Sequence, residues 1–576
     1  MSLFIPRMLV ILLVFGLIAG CTREVEESPA VDLLQHVPAD TPYAFVTSRP
    51  LPDGLRSKLG DHYAIQLAAQ GEVFSRVREQ MQESEDAAPM AYQAESLFDI
   101  LEALFAEFEG RDTAAKVREL GIEPVTRSVI YGIGVLPAVR VEILDATKLD
   151  AMLDRVEARA GVSASRGELD GQRYRRIDLG RVDAVLSVTK RHAIAGLLPD
   201  SLFDRDLPLL LGQVQPDTNL AETGEIQALV EQHGFTGFGE GFIRLDNLIA
   251  ILLGKGQGRN SEVMQALGTA PIPVSAGCMQ MTEQLVSGMP RMVIGITAAD
   301  ERQLAARAIW ESNAAVSAHL QKLAAPVPGL GAGYDGLVSF GMGIDLPQLR
   351  NAIDALLRAV IAAGSACEWV DPASLKAVMP QLNLALGPMT AGIKGFNLQL
   401  ADLEIDPQTM QPIRVQAGLL AAVDDPRGVF ALGAMFNPAM ASLQIPSDGS
   451  FVDLPQDMGL DEQTPPLKVA IRDKALVLVA GDDSADLANS LLNAVAASPT
   501  PLFAVDYGVY QLVQRFGDMM DSATEQLGSQ GEKEMAEELR EQLESFRQQA
   551  RMFNRLRMSM HASPEGLVMD QVMELR

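Results

Sequence analysis

Residues 139–161, which read VRVEILDATKLDAMLDRVEARAG, contain the pattern that decides the fold. The apolar run at residues 139–144 predicts a strand, and a helix is predicted over residues 148–160. Asp145 lies between them and suits the cap of that helix, because its carboxylate accepts the free amides of the first turn. Gly161 ends the helix. The stretch therefore predicts a strand followed directly by a capped helix.

Alternating runs follow this helix and come back later in the chain. Turns separate the first set, at residues 172–179, 182–189 and 192–198, which predicts an antiparallel meander. The order of strand, capped helix and meander recurs from residue 413 to residue 480. We therefore predict an α+β fold with two duplicated halves of antiparallel sheet and capped helices on one face. The predicted halves cover residues 31–260 and 261–500.

Several strand-like runs end in an aspartate close to the start of a helical run. We predict helix caps at these positions, although each acid taken singly also fits a catalytic carboxylate. The residues are Asp145, Asp246, Asp300, Asp345 and Asp425.

The last part of the chain, residues 501–576, predicts a helical hairpin followed by a closing β-hairpin. Helices are predicted at residues 509–527 and 532–553, and the second has an apolar stripe at helical spacing. Such a stripe fits packing on the protein's own body, and it also fits a partner-binding face.

The first 20 residues have the layout of a signal peptide. One positive charge, Arg7, precedes an apolar stretch at residues 8–20, which is shorter than the roughly 18 to 20 residues that a membrane-spanning helix needs. The small residues Ala19 and Gly20 then precede Cys21. The stretch Leu17-Ile18-Ala19-Gly20-Cys21 resembles the lipobox of bacterial lipoprotein precursors.

This resemblance implies cleavage before Cys21 and lipid attachment at Cys21, with diacylglycerol on the sulfur and an acyl chain such as palmitate on the new amino group. More than one chain suffices for stable anchoring. Thr22 follows the cysteine in place of the aspartate that retains such proteins in the inner membrane, so the resemblance favours the outer membrane, with the body in the periplasm. Residues 21–30 are expected to form a flexible lipidated tether. The alternative is a signal peptide that is cleaved elsewhere.

Composition limits the possible partners. The chain has a formal net charge of −28, with 75 acidic and 47 basic residues. Nucleic-acid binding is disfavoured because it requires a basic surface. The acidic surface repels anionic headgroups, so we expect the body to stand off the membrane on its tether.

Two further cysteines, Cys278 and Cys367, form an even pair for a compartment in which disulfides persist. We predict one disulfide between them, and two separate buried thiols remain the alternative.

Motifs for chemistry are missing. The six histidines lack the spacing of a local zinc site, neither cysteine lies in a C-x-x-C motif, and no G-x-S-x-G nucleophile elbow occurs. Two glycine-rich segments, residues 254–258 and 329–333, lack the spacing of a phosphate-binding loop. We therefore predict no catalytic residue, no metal ligand and no cofactor.

The body of the chain, including Val37-Pro38-Ala39-Asp40-Thr41-Pro42-Tyr43, resembles a family of large uncharacterised proteobacterial envelope lipoproteins, and this resemblance implies no activity. We expect a membrane-anchored, non-catalytic protein that binds or scaffolds an envelope protein or an apolar ligand. The alternative is a periplasmic hydrolase whose site is assembled from residues distant in sequence.

Overall fold

The structure, a computed structural model, describes residues 31–83, 95–268, 274–364, 367, 371–387, 390, 392–406, 412–436, 440, 443–455, 465–481, 484–530 and 533–576. The predicted signal peptide and tether, with Cys21, lie outside these residues. Contacts divide the chain into two units, Met1–Pro273 with Pro290–Glu301 and Val274–Met289 with Arg302–Arg576. The units differ in extent from the predicted halves, since residues 501–576 belong to the second unit.

The first unit consists of strands and helices that alternate along the chain. Its strands are β1 (Tyr43–Thr47), β2 (Ser128–Ile133), β3 (Leu136–Glu142), β4 (Ser165–Leu169), β5 (Gln172–Asp178), β6 (Val182–Val188), β7 (His192–Pro199), β8 (Glu240–Arg244) and β9 (Arg291–Ala299). Its helices are α1 (Val31–Leu34), α2 (Asp53–Glu83), α3 (Glu95–Ala106), α4 (Ala114–Arg118), α5 (Ala146–Ala160), α6 (Phe203–Leu211), α7 (Leu220–Thr223), α8 (Glu225–His233), α9 (Leu245–Leu252) and α10 (Gly258–Ala266).

The strands of the first unit form an antiparallel sheet in the order β4-β5-β6-β7-β3-β2-β1-β8-β9. The meander β5-β6-β7 appears where the alternating runs predict it. Helix α5 packs on one face of the sheet, where its Leu149, Met152 and Val156 join a buried apolar cluster. Helix α6 packs on the other face, where a β-carbon on Gly196 would lie 2.7 Å from the side chain of Leu210. Helices therefore cover both faces, whereas the sequence predicted one.

The second unit has its own strands and helices. Its strands are β10 (Gln303–Glu311), β11 (Val338–Gly343), β12 (Ile393–Ile405), β13 (Pro412–Val423), β14 (Val452–Asp453), β15 (Leu467–Arg472), β16 (Ala475–Ala480), β17 (Pro501–Tyr507), β18 (Phe553–Ser563) and β19 (Gly566–Leu575). Its helices are α11 (Ala276–Gly288), α12 (Ala314–Leu323), α13 (Leu346–Gly364), α14 (Pro372–Ala385), α15 (Pro426–Phe436), α16 (Ala485–Asn493), α17 (Val509–Gln530) and α18 (Lys533–Met552).

The strands of the second unit repeat the pairing order of the first unit. Their order is β14-β15-β16-β13-β12-β11-β17-β18-β19-β10, again antiparallel. Strands β1 to β3 of the first unit correspond to β11 to β13 of the second, and strands β5 to β9 correspond to β14 to β18. Each strand and its counterpart have the same place along the chain and in the pairing order. This shared order confirms the predicted α+β fold with duplicated halves. The predicted C-terminal hairpins also form, as α17 with α18 and β18 with β19.

The predicted aspartate caps form at three of five positions. Asp145 accepts hydrogen bonds from the amides of Thr147 and Lys148, Asp345 accepts one from Gln348, and Asp425 accepts one from Gly428. The prediction is wrong for Asp246, which lies inside the first turn of α9, where Arg244 is the capping residue. It is also wrong for Asp300, which is followed by a strand and not by a helix. A single carboxylate after an apolar run therefore does not identify the helix start.

In the part of the chain that the structure describes, no helix combines the length and apolarity of a bilayer span.

Cys278 and Cys367 are both buried, and their sulfur atoms lie 2.02 Å apart, as the predicted disulfide requires. Both residues belong to the second unit, and the bond closes a loop with a sequence separation of 89. Closing a loop of that length restricts the unfolded chain strongly.

We expect reduction of this disulfide to lower the free energy of unfolding by about 4 kcal/mol, because the unfolded chain regains the entropy of the open loop. Denaturant titration with and without reductant measures the change. The matched control is the Cys278→Ser/Cys367→Ser double variant, which should have the lower stability under both conditions. Equal stability of the oxidised and reduced chains would contradict the prediction.

Candidate functional site

Strand β3 has two unlike faces, because successive side chains of a strand point to opposite sides. Val139 and Val141 point to the face that α5 covers, and Arg140 and Glu142 point to the other. In the register of the sheet, Val139 lies opposite Ala195 of β7 and Val141 lies opposite Ala193. The first face is apolar and has small side chains on β7, while the second is charged.

An apolar cavity of about 240 Å³ lies between the first face and the helices that cover it. Its walls come from α3, α5 and the strands β3, β5, β6 and β7. The lining includes Ile100, Leu104, Val139, Val141, Leu149, Met152, Val156, Ile177, Leu186, Ala193 and Ala195. Every lining residue is aliphatic, Phe, Met, Ala, Pro or Gly, so no lining side chain can transfer a proton or bind a metal ion strongly.

The cavity exists because the sheet under α5 has small side chains. Ala184, Ala193 and Ala195 occupy positions at which a buried strand commonly has Val, Ile or Leu. The alanine methyl groups stop short of the helices, and the large side chains of α5 cannot extend to replace the missing volume. Ala193 and Ala195 remain partly accessible although they lie beneath helices.

Ion pairs hold α5 over the cavity. The guanidinium group of Arg175, a buried residue of β5, donates to Asp150 at 2.6 Å, Glu157 at 2.9 Å and Asp154 at 3.0 Å. The hydrogen bond from Arg175 is the main cause that lowers the pKa of Asp154. On another side of the helix, Arg155 pairs with Glu107 at 2.5 Å. Ion pairs therefore hold α5 at one edge of the cavity, and apolar contacts hold it over the interior.

A charged cluster lies on the second face of the same strands. Asp32 of α1, Glu142 of β3 and His192 of β7 each have a potential ligand atom, and these atoms lie within 4.8 Å of one another. Arg127 donates to both carboxylates, to Glu142 at 3.1 Å, and Arg191 lies 4.0 Å from Asp32. Arg127 thereby joins α1, the first described helix, to the sheet.

The charges around this cluster oppose a divalent cation. Burial lowers the pKa of His36 and of His192 to about 4, and the charge of Arg140 acts in the same direction. Both imidazoles are therefore neutral at neutral pH. Arg127, Arg140 and Arg191 outnumber the two carboxylates, so a metal ion would enter a site with net positive charge. We assign the cluster to holding α1 in place. The cluster gives no support to the hydrolase alternative, because both carboxylates already accept hydrogen bonds from Arg127.

The glycine-rich segments form no phosphate site among the described residues. Residues 254–257 lie between α9 and α10, and Gly258 is the first residue of α10. In the second unit, Gly329, Gly331 and Gly333 line a small cavity with Asp506 and Arg557. Arg557 donates to Asp506 at 3.0 Å and pairs with Glu574 at 2.9 Å, so its charge is already balanced.

Sequence reasoning missed the cavity. The available signal was the presence of alanines at alternating positions of neighbouring runs, Ala184 in one and Ala193 with Ala195 in the next. That signal becomes informative only with the register, which places these residues on one face.

No protein-family model, curated protein or solved structure matches this chain. The resemblances to lipoprotein precursors and to an envelope family therefore stay predictions from sequence.

We expect Arg175→Met to destabilise the first unit by about 1 to 2 kcal/mol, because it removes the cation that Asp150, Asp154 and Glu157 share. Arg166 still pairs with Asp154 and Glu157 at 3.0 Å, so Asp150 loses the most. This loss of stability is smaller than for a fully buried ion pair, because the three carboxylates are partially exposed to water. Denaturant titration measures it. Arg173→Met, at an exposed position of the same strand, is the matched control and should change stability by less than about 0.5 kcal/mol. Equal effects of the two substitutions would contradict the role given to Arg175.

Proposed function

We propose that the protein is an outer-membrane lipoprotein whose periplasmic body binds a small apolar molecule or a single alkyl chain in the cavity of its first unit. The observation that carries this proposal is the cavity of about 240 Å³ with a wholly apolar lining. An engineered cavity of about 150 Å³ with a similar lining stays dry and binds benzene, so this one is large enough for a ligand.

The size of the cavity argues against a simple packing gap. Cavities in protein cores cost about 24 cal/mol per Å³, so a volume of 240 Å³ left empty would cost roughly 6 kcal/mol. That is comparable with the entire stability of many domains, about 5 to 15 kcal/mol. A ligand that fills the space offsets this cost, which gives a physical reason for the alanines beneath α5.

The expected anchor supports the same function. Lipid attachment at Cys21 would keep the body beside a bilayer, which is a source of apolar chains. The net charge of −28 would hold the body off anionic headgroups, so the ligand would enter the cavity while the body remained in water.

We expect Ala195→Leu to abolish binding of N-phenyl-1-naphthylamine, a neutral dye that fluoresces in apolar sites, because the larger side chain fills the cavity. The same substitution should leave stability unchanged or raise it, since it adds apolar contact to an underpacked site. Dye titration and thermal unfolding measure the two effects.

Ala151→Leu is the matched control, because it makes the same change at an exposed position of α5 and should leave dye affinity unchanged. If the filled cavity and the control bind the dye equally well, the proposed site is wrong. Native mass spectrometry of the gently purified protein should also detect a co-purified apolar molecule that the Ala195→Leu variant lacks.

The location is tested separately. We expect Cys21→Ser to prevent lipid attachment and to release the body from the membrane fraction, since the sulfur is the predicted acceptor. Membrane fractionation together with mass spectrometry of the mature N-terminus measures this. Thr22→Ser serves as the control and should remain membrane-bound. A Cys21→Ser protein that stays on the same membrane with unchanged processing would refute the anchor.

A further inference from the structure

The second unit has a sheet face equivalent to the cavity face of the first. In the first unit, α6 follows β7 and packs against Gly196, and the cavity lies on the opposite side of the sheet. In the second unit, α16 follows β16 and packs in the same way, with Leu491 2.5 Å from the position of a β-carbon on Gly418. The face away from α16 therefore corresponds to the cavity face.

A continuous row of apolar side chains crosses this face. The pairing register joins six residues from six neighbouring strands, and all six side chains point to the same side. They are Met558, Val505, Phe340, Leu398, Leu419 and Leu478. None of the six is buried, and Leu398 is 43% exposed.

Aromatic rings extend the apolar area beside this row. The ring of Phe340 lies 5.7 Å from that of Phe396 and 5.6 Å from that of Phe503, measured between centroids. Phe396 and Phe503 both pair with Met342 in the adjacent register row. The rings give the face a stiff apolar surface that packs readily against hydrocarbon.

The opposite face of the same strands is buried. There Leu420, Val477 and Val479 belong to an apolar core cluster. Ser339 and Asn397 lie on the same buried face, with the hydroxyl of Ser339 3.1 Å from the amide oxygen of Asn397. The row of six side chains is therefore an apolar surface that stays accessible on the side of the sheet away from this core. Accessible apolar patches of this kind mark binding sites.

We propose that this face of the second unit is a second binding site for an apolar molecule or alkyl chain, of the same class as the ligand proposed for the first unit. This inference rests on the proposed function and extends it to two sites in one chain. The first argument for this ligand is position, because the face is equivalent in the duplicated fold to the cavity face of the first unit. The chemistry of the row is the second, because six strands present only hydrocarbon and one thioether.

A protein partner fits this face less well. Protein interfaces commonly form about one hydrogen bond per 100 to 200 Å² of buried area, and the row has no side chain that donates one. A second copy of the chain would also bring together two bodies that each have a net charge of −28.

The test is the stoichiometry of N-phenyl-1-naphthylamine on the full chain. We expect two equivalents per chain, of which Ala195→Leu removes one and Leu398→Glu removes the other, while the double variant binds none. A glutamate at the centre of the row places a charge on the hydrocarbon surface, and the exposure of Leu398 lets the side chain reach water. Dye affinity at the second site should fall at least tenfold.

Val495→Glu is the matched control, because it adds the same charge at a residue of the second unit that is 76% exposed and should leave both equivalents in place. Leu398→Ala keeps the sheet uncharged and should weaken the second site by several-fold, which separates ligand contact from misfolding. If the wild-type chain binds one equivalent and only Ala195→Leu removes it, the second site is refuted and the proposed function stands. If Leu398→Glu removes one equivalent and Ala195→Leu removes none, the proposed cavity is refuted and the second site stands.

Discussion

The alternation of side chains along β3 and β7 is the constraint on which the first unit depends. Along each strand, every second side chain points to α5 and the side chains between them point to the charged cluster. A register shift of one residue would therefore exchange the apolar and the charged face. The valines and alanines therefore define the cavity, while Arg140, Glu142 and His192 of the same two strands build the cluster that holds α1. A single run of sequence serves both an apolar and a charged environment.

Ion pairs and apolar contacts have different roles in holding α5 over the cavity. The contacts of α5 with the sheet are incomplete, because the alanines leave space beneath the helix. Arg175 and its three carboxylates lie at the edge, where water reduces the cost of placing charges together. Ion pairs at the edge keep α5 in a fixed position above an interior that is not fully packed, which is the arrangement that the proposed ligand binding requires.

Local sequence predicted much of the fold and little of the site. Asp145 and Gly161 bracket α5 because caps act through atoms close in sequence, and the turns of the first meander are equally local. Asp246 and Asp300 look the same in sequence, but tertiary contacts decide whether a helix follows an aspartate. The cavity depends on which residues of β3, β6 and β7 share a row, and register is set by pairing across long loops. The apolar row of the second unit was hidden for the same reason, since its six residues come from strands that are far apart in sequence.

The path of the chain between the units restricts how the protein can be divided. Val274–Met289 belongs to the second unit, Pro290–Glu301 returns to the first, and the chain then continues in the second from Arg302. The bond between Cys278 and Cys367 fixes the first of these segments covalently in its unit. No single cut of the backbone yields two complete units: a fragment ending before Val274 lacks β9, and one that begins at Arg302 lacks α11. Although the topology is repeated, the repeat cannot be separated at one peptide bond, because each unit needs residues from both sides of the boundary.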